Sequence, residues 1–201
     1  MATSGIASIF FISAPLKLDA NKPRPCVLTN MKAVLQRVLS SSVTVNDQVV
    51  SGIGKGILVL AAIGPYDTKK DADSMAAKVL KMKLWPDEDG SNWKKSVQDI
   101  QGEVLCVSQF TLFASTKKGN KPDFHGAAKP EMAKELYEYF VSKVRTLYHA
   151  ERVRDGVFQA MMQVSLVNDG PVTLEIDTAP AKKESAATTP TLSTPASESA
   201  K

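Results

Sequence analysis

Short apolar runs separated by turn-forming residues open the patterned part of the chain. Residues 32–38 and 42–50 are rich in β-branched side chains and partly alternate between apolar and polar positions, which is typical of strands. The serines at 40–42 and the Asn-Asp pair at 46–47 predict turns that punctuate these strands. The continuous apolar run at 57–63 predicts a strand covered on both faces.

Helical spacing marks two longer segments, residues 67–84 and 130–147. The first begins with Asp67 or Thr68 as its capping residue, and the second has Pro130 near its first turn. Further strands are predicted at 104–110, 162–167 and 172–176, with a turn at 168–171 between the last two. Strands outnumber helices, so we expect a single α+β domain in which two main helices pack against a largely antiparallel or mixed sheet.

The two ends of the chain differ in composition from its middle. Residues 1–30 include an apolar stretch that is too short to span a bilayer and has no basic residues before it. We interpret them as a disordered extension or the product of an upstream start, with an organelle-targeting leader as the alternative. Residues 179–201 are rich in Ala, Ser, Thr and Pro, which predicts a disordered tail. The folded domain is thus expected at 31–178.

Charge and cysteine content narrow the function classes only slightly. The chain has 25 basic and 21 acidic residues, but 19 and 18 of these lie within 31–178, so that domain is almost neutral. Any contact with RNA must therefore come from local lysine or arginine clusters. Cys26 and Cys106 do not suggest a disulfide framework, which favours a reducing, cytoplasmic location. No membrane span is expected.

Several common catalytic patterns are missing from the sequence. It contains no Gly-x-x-x-x-Gly-Lys-Ser/Thr, Gly-x-Gly-x-x-Gly, Cys-x-x-Cys or Gly-x-Ser-x-Gly pattern. The two histidines, His125 and His149, stand apart and offer neither a metal-ligand pair nor a Ser-His-Asp triad. We expect no cofactor and no metal.

Polar groups at the end of a predicted strand are the first candidate site. Ser108, Gln109 and Thr111 follow a buried apolar run and precede a loop rich in lysine and glycine. Backbone N–H groups at such a strand end could stabilise an oxyanion during ester hydrolysis without a protein nucleophile. Ordinary polar residues that close a strand are the simpler interpretation of the same pattern.

The turn at 168–173 is the second candidate. Gly170 tolerates positive φ and Pro171 fixes its own, as turns require. A Gly-Pro bond is also a place where a cis peptide is accessible, which would turn carbonyl groups outward in a rigid array.

Two further groups could contact a nucleic acid. Three lysines lie in a short loop after the first candidate site, where they could hold a phosphate, although a solvated surface is the commoner meaning of such a cluster. An aromatic residue and a methionine four positions apart could stack on a base, with core packing as the default. These residues are Lys117, Lys118, Lys121, Phe158 and Met162.

Five segments in this order resemble the D-aminoacyl-tRNA deacylase family. They are Met-Lys-Ala-Val-Leu-Gln-Arg-Val at 31–38, Ser-Val-Gln-Asp at 96–99, Ser-Gln-Phe-Thr-Leu at 108–112, Lys-Gly-Asn-Lys-Pro-Asp-Phe at 118–124, and Val-Asn-Asp-Gly-Pro-Val-Thr at 167–173. The resemblance covers 31–178 and neither end.

The resemblance implies a homodimer with active sites at the interface. In such a dimer Gly170 and Pro171, joined by a cis bond, would enter the partner's pocket and face the chiral centre of the substrate. Arg37 matches an arginine that braces this element. Because the filter would read only the α-carbon, it would accept many D-amino acids, and glycyl-tRNA is expected to pass it.

The resemblance also implies that the pocket floor is formed by Ser108, Gln109, Phe110 and Thr111. The 2′-hydroxyl of the terminal ribose of the tRNA would assist hydrolysis, which we prefer to attack by Thr111 because no visible group would deprotonate that hydroxyl. One departure from the family is Gln159, where Phe-Gly-Ala is common, and its side chain could crowd the adenosine pocket. The alternatives are a non-enzymatic nucleic-acid-binding protein and a hydrolase of free amino-acid esters.

Overall fold

The computed structural model of the protein describes residues 30–179. The predicted extension and tail, apart from Asn30 and Ala179, lie outside the described residues. The strands are β1 Lys32–Val45, β2 Gln48–Ile53, β3 Gly56–Ala62, β4 Glu103–Ser108, β5 Val153–Asp155 and β6 Gln163–Asp177. The α-helices are α1 Lys69–Lys81 and α2 Pro130–Leu147, and 3-10 turns span Phe110–Phe113 and Ala150–Arg152.

The described strands form one mixed sheet in the order β2-β1-β3-β4-β5, with β6 also paired to β1. β1 runs antiparallel to β2, β3 and β6. β4 runs parallel to both β3 and β5. The predicted α+β fold with a mixed sheet and two main helices is thus confirmed.

The predicted turn at 40–42 is wrong, because β1 continues through the serines. Ser41 pairs with Ile53 on β2 and with Leu166 on β6. Its buried hydroxyl donates a hydrogen bond of 2.8 Å to the carbonyl oxygen of Ser165. These pairings satisfy the polar groups of a segment that composition alone assigns to a turn. The second predicted turn is confirmed, since Asn46 and Asp47 join β1 to β2 with left-handed φ angles of 49° and 62°.

Three other predicted boundaries are also corrected. The break predicted at 168–171 is an irregularity within the single strand β6, where pairing with β1 passes from Asn168 to Thr173. β4 ends at Ser108, and a 3-10 turn replaces the predicted continuation to 110. α1 is shorter than the predicted 67–84, whereas α2 has its predicted bounds.

Side chains from both faces of the sheet form the core. One cluster joins α1 and α2 to alternate residues of the central strands, and a second lies on the opposite face. On β3, Val59 belongs to the first cluster and Leu58 to the second, which confirms the prediction of a strand covered on both faces. Neither α1 nor α2, the helices of the part that the structure describes, is long and apolar enough to cross a membrane.

A buried carboxylate holds the start of the domain. Asp67, only 5% exposed, accepts hydrogen bonds from the backbone N–H of Met31 at 2.8 Å and of Gly64 at 2.5 Å. Burial raises the pKa of Asp67 to about 6, although both hydrogen bonds act in the opposite direction. The carboxyl group thereby links the residue before β1 to the loop that follows β3.

Candidate active site

A cavity of about 840 Å³ opens where the parallel strands β3 and β4 end. The first turns of α2 form one side, and the loop before β6 forms the opposite wall. This volume is in the range of small-ligand sites. Its lining includes the polar, aromatic and methionine residues Ser108, Gln109, Phe110, Phe124, Tyr137, Phe158, Gln159, Met161 and Met162.

Three of the four predicted strand-end residues line the cavity, and the fourth does not. Ser108, Gln109 and Phe110 line the cavity, whereas Thr111 is exposed beside it. The backbone N–H of Gln109 is already committed to the carbonyl oxygen of Ala61 at 2.7 Å. Of the N–H groups at this strand end, those near Phe110 therefore remain for a substrate oxygen.

The hydroxyl of Thr111 has a partner that does not activate it. Gln109 Nε2 donates to Thr111 Oγ1 at 2.5 Å, and an amide N–H cannot remove a proton. Neither histidine lines the cavity: His125 is exposed and paired with Asp123, and His149 lies 3.8 Å from a glutamate. The carboxylate of Asp123 has its pKa lowered chiefly by the backbone N–H of His125.

Aromatic groups form much of the cavity wall. Phe110, 57% exposed, meets Phe124 edge to face with ring centroids 5.1 Å apart. Phe158 lies 5.7 Å from the ring of Tyr137 and, with Met162, lines the opposite side. A flat heterocycle could be held among these rings.

Sequence reasoning missed a hydrogen-bonded pair below this wall. The hydroxyl of Tyr137 donates to Asp155 Oδ1 at 2.5 Å. Burial raises the pKa of Asp155, and it also raises the pKa of Tyr137 well above its usual value. Tyr137 lies on the buried face of α2, so its spacing is that of a core residue and carries no separate signal.

Gly170 and Pro171 lie outside this cavity, in an exposed irregularity of β6. The peptide bond between them is cis. Gly170 has a φ of 123°, and an added Cβ would lie 3.0 Å from Val172 Cγ2 and 3.1 Å from Arg37 Nη2. The backbone angle favours glycine here, and an added Cβ would also press on the Val172 and Arg37 side chains.

Arg37 joins this segment to the rest of the domain. Its Nε donates to the carbonyl oxygen of Asp169 at 3.0 Å, and the same atom lies 3.2 Å from the Asp169 carboxylate. Nη1 donates to the carbonyl oxygen of Leu84 at 2.5 Å. The guanidinium group also stacks at 6.0 Å over the ring of Trp85.

The glycine-proline segment and the cavity of the same chain lie at different positions along the strands of the sheet. Arg37 pairs with Ile57 near the start of β3, whereas the cavity begins at Ala61 near its end. Four residues of strand span about 13 Å. The structure therefore does not bring Gly170 and Pro171 together with Ser108 within one chain.

The three predicted lysines are exposed on the loop that follows the cavity floor. Backbone hydrogen bonds between Ser115 and Asp123, of 2.8 and 2.9 Å, close this loop at its base. None of the three lines the cavity itself. They are Lys117, Lys118 and Lys121.

Residues 30–179 contain no group of three or more His, Cys, Asp or Glu side chains that could hold a metal ion. The sulfur of Cys106 is buried in the core, where desolvation raises its pKa far above the usual value.

These features define an α+β protein whose strand-end pocket offers hydroxyl, amide, backbone and aromatic groups to a ligand. Comparison with known proteins shows the family to which this protein belongs. The model of the D-Tyr-tRNA(Tyr) deacylase family matches residues 34–177, and the chain belongs to this family.

Relatives that carry the deacylase name agree with this assignment, and a solved structure shares the fold. The chain is 56% identical over 150 residues to "D-aminoacyl-tRNA deacylase" of Yarrowia lipolytica, covering 74% of this chain and 97% of the relative. It is 50% identical over 147 residues to "D-aminoacyl-tRNA deacylase 1" of Homo sapiens, covering 73% and 70%. A solved structure titled "c-Myc DNA Unwinding Element Binding Protein" has a TM-score of 0.71 and 49% identity, covering 75% of this chain and 99% of that one.

Proposed function

We propose that this protein hydrolyses the ester bond of D-aminoacyl-tRNA, releasing free D-amino acid and tRNA. The observation that carries the proposal is the strand-end cavity, lined by Ser108, Gln109 and Phe110 in a chain of this family. Relatives at 50% to 56% identity carry the name of this activity. The reaction would remove wrongly charged D-amino acids during translation in the cytoplasm.

The proposed chemistry needs no protein nucleophile and no cofactor. A water molecule attacks the ester carbonyl with the assistance of the 2′-hydroxyl of the terminal ribose, and backbone N–H groups near Phe110 stabilise the oxyanion. The C–O bond to the ribose 3′-oxygen then breaks, and that oxygen takes up a proton and leaves as the 3′-hydroxyl of the tRNA. Two observations favour this route over attack by Thr111. The Thr111 hydroxyl accepts a hydrogen bond from Gln109, and neither His125 nor His149 lines the cavity.

Chiral selection is proposed to come from a second copy of the chain. Gly170 and Pro171 are exposed and lie too far along the sheet to reach the cavity of their own chain. In a homodimer they would enter the partner's cavity and exclude an L side chain by contact with main-chain atoms. Glycine has no side chain on its α-carbon, so glycyl-tRNA would also be a substrate.

Exposed apolar side chains support the association of two copies. They lie on strands β1, β2 and β6, and one of them, Val49, is 71% exposed. Burying such residues against a second copy of the chain removes them from water. The others are Leu39, Val50 and Val167.

The tRNA is proposed to bind through its terminal base and its acceptor-stem phosphates. Phe158 and Met162 line the cavity wall where the terminal adenine would stack. Lys117, Lys118 and Lys121 lie on the adjacent loop, where their charges can meet phosphates.

Assays with three aminoacyl-tRNAs and one free amino-acid ester separate the proposal from its alternatives. Wild-type protein should deacylate D-tyrosyl-tRNA and glycyl-tRNA and leave L-tyrosyl-tRNA intact. Hydrolysis of D-tyrosine ethyl ester at a comparable rate would instead identify an esterase for free amino acids. Binding of tRNA without any deacylation would identify the non-enzymatic nucleic-acid-binding protein.

Substitution of Thr111 tests who performs the chemistry. We expect Thr111→Ala to lose no more than about tenfold to a hundredfold in single-turnover rate, because backbone donors survive the truncation. A substrate ending in 2′-deoxyadenosine should be cleaved poorly by the wild type. A folded but inactive variant, together with normal cleavage of the deoxy substrate, would restore Thr111 as the nucleophile.

Neutralising the lysine loop tests the phosphate contacts. Replacing its three lysines by glutamine should weaken tRNA binding and flatten the dependence of affinity on salt, since fewer counterions are released. A control variant replaces three lysines of α1, a helix that contributes no residue to the cavity lining. It removes the same charge and should change neither tRNA affinity nor its salt dependence. An unchanged salt dependence in the loop variant would assign the lysines to a solvated surface. The control residues are Lys69, Lys70 and Lys81.

A further inference from the structure

The backbone at Gln159 has a conformation that glutamine rarely adopts. Its φ is +63°, in the left-handed region, where residues other than Gly, Asn and Asp are disfavoured. A hydrogen bond of 3.2 Å from Ala160 N–H to the carbonyl oxygen of Val157 closes the turn around it. Glycine would satisfy this turn without strain, so glutamine is held here at a cost in backbone free energy.

The side chain of Gln159 belongs to the cavity wall. Gln159 is exposed and lines the cavity between Phe158 and Met161. Among contacts between residues 30–179, its amide group makes no hydrogen bond. A primary amide has two donor hydrogens and an acceptor oxygen, and here they are left available to a ligand.

The neighbours of Gln159 indicate which part of a ligand it faces. Phe158 precedes it and Met162 follows, and both are suited to contact the face of a planar base. A group beside a stacked base meets the edge of that base. The amide of glutamine matches an adenine edge, accepting from the N6 amine while donating to a ring nitrogen.

We propose that Gln159 is a specificity-determining residue that reads the edge of the 3′-terminal adenine of the substrate. This inference rests on the proposed function, since it concerns the nucleoside end of the same cavity. The amide forms hydrogen bonds to the base alone, so it contributes to substrate binding and not to the chemical step. The strained backbone at Gln159 places the amide at the cavity wall.

Two variants separate the amide from the backbone. Gln159→Ala removes the amide but keeps an L residue, and hence backbone strain, at positive φ. Gln159→Gly removes both the amide and the strain. The melting temperature should rise in Gln159→Gly relative to Gln159→Ala, because strain is released. If the amide is the functional element, both variants should lose the same base preference.

The assay is single-turnover deacylation of D-tyrosyl-tRNA ending in adenosine or in inosine, which replaces the N6 amine by an oxygen. Saturation curves give the half-saturating enzyme concentration and the maximal rate separately. We expect the wild type to bind the adenosine substrate about threefold to tenfold more tightly, as one hydrogen bond allows. Both variants should bind the two substrates alike, with maximal rates within about twofold of the wild type.

The outcomes distinguish failure of this inference from failure of the proposed function. Absence of deacylation by the wild type overturns both. Normal deacylation with a base preference that persists in Gln159→Ala and Gln159→Gly overturns the role of the amide alone. A preference lost only in Gln159→Gly would assign the effect to the backbone of the turn and would also overturn the role of the amide.

Discussion

Replacement of Asp67 by asparagine should remove a specific pH dependence of stability. The carboxyl group has its pKa raised from 3.8 to about 6 by burial, so the native state keeps a proton that the unfolded state loses between these values. Stability is therefore highest below about pH 4 as far as this group is concerned, and it falls as pH rises toward 6. The rise in pKa corresponds to about 3 kcal/mol over this window.

The asparagine variant has no proton to lose, so this contribution disappears. Its side-chain oxygen can still accept one of the hydrogen bonds from Met31 and Gly64, and the cost of losing the other is independent of pH. The free energy of unfolding of Asp67→Asn minus that of the wild type should thus increase by about 2.4 kcal/mol from pH 4 to pH 7. All other titrating groups cancel in this difference.

Urea unfolding of both proteins at half-unit steps between pH 3.5 and pH 7.5 measures the difference. A difference that is flat over the whole range would show that Asp67 titrates at its ordinary value, and the burial argument would be wrong. A difference that changes in the opposite direction would show that the two backbone hydrogen bonds outweigh desolvation.

Three further substitutions test the groups around the site. Gly170→Ala should lower the free energy of unfolding by about 1–3 kcal/mol in urea titration and abolish deacylation. The loss of stability should be larger than in the control Gly90→Ala, because Gly90 also has positive φ but has open space around it. Arg37→Lys keeps the charge but loses the planar fork, so a loss of about 1–3 kcal/mol is expected by the same method, and an unchanged stability would argue against bracing. Tyr137→Phe removes the donor to Asp155 and should raise the pKa of that carboxyl further, as NMR titration would show; a lower pKa would contradict the assigned direction.

Regular elements could be predicted from the sequence where one local pattern decides the structure. α2 has its predicted bounds because its apolar spacing and Pro130 agree. The predicted turn at 40–42 failed because serine satisfies its polar groups equally well in a turn or between two strands. Only pairing with Ile53 and Leu166, distant in sequence, selects the strand for Ser41. β5 has three residues, too few to carry a period.

The candidate site likewise contains residues that a local sequence pattern predicts and residues that it does not. Ser108 and Gln109 could be found because a buried strand ends at polar groups, which is a local signal. Tyr137 and Asp155 meet only through the packing of α2 against the end of β5, and neither residue is unusual in its own segment. The strain at Gln159 is likewise a property of a turn conformation that no single residue type announces.

The pairing of the first strand with the last has a consequence for synthesis on the ribosome. Arg37 and Asp169, which are 132 positions apart, come into contact only when β6 has been added to β1. A contact of such high order requires closure of a very long loop, which slows folding. One edge of β1 therefore stays unpaired in the nascent chain until β6 has been synthesised, and until then this edge can pair with other strands. The segment around Gly170 is added to the sheet together with β6, so the sheet cannot be completed before the chain has been translated as far as Asp177.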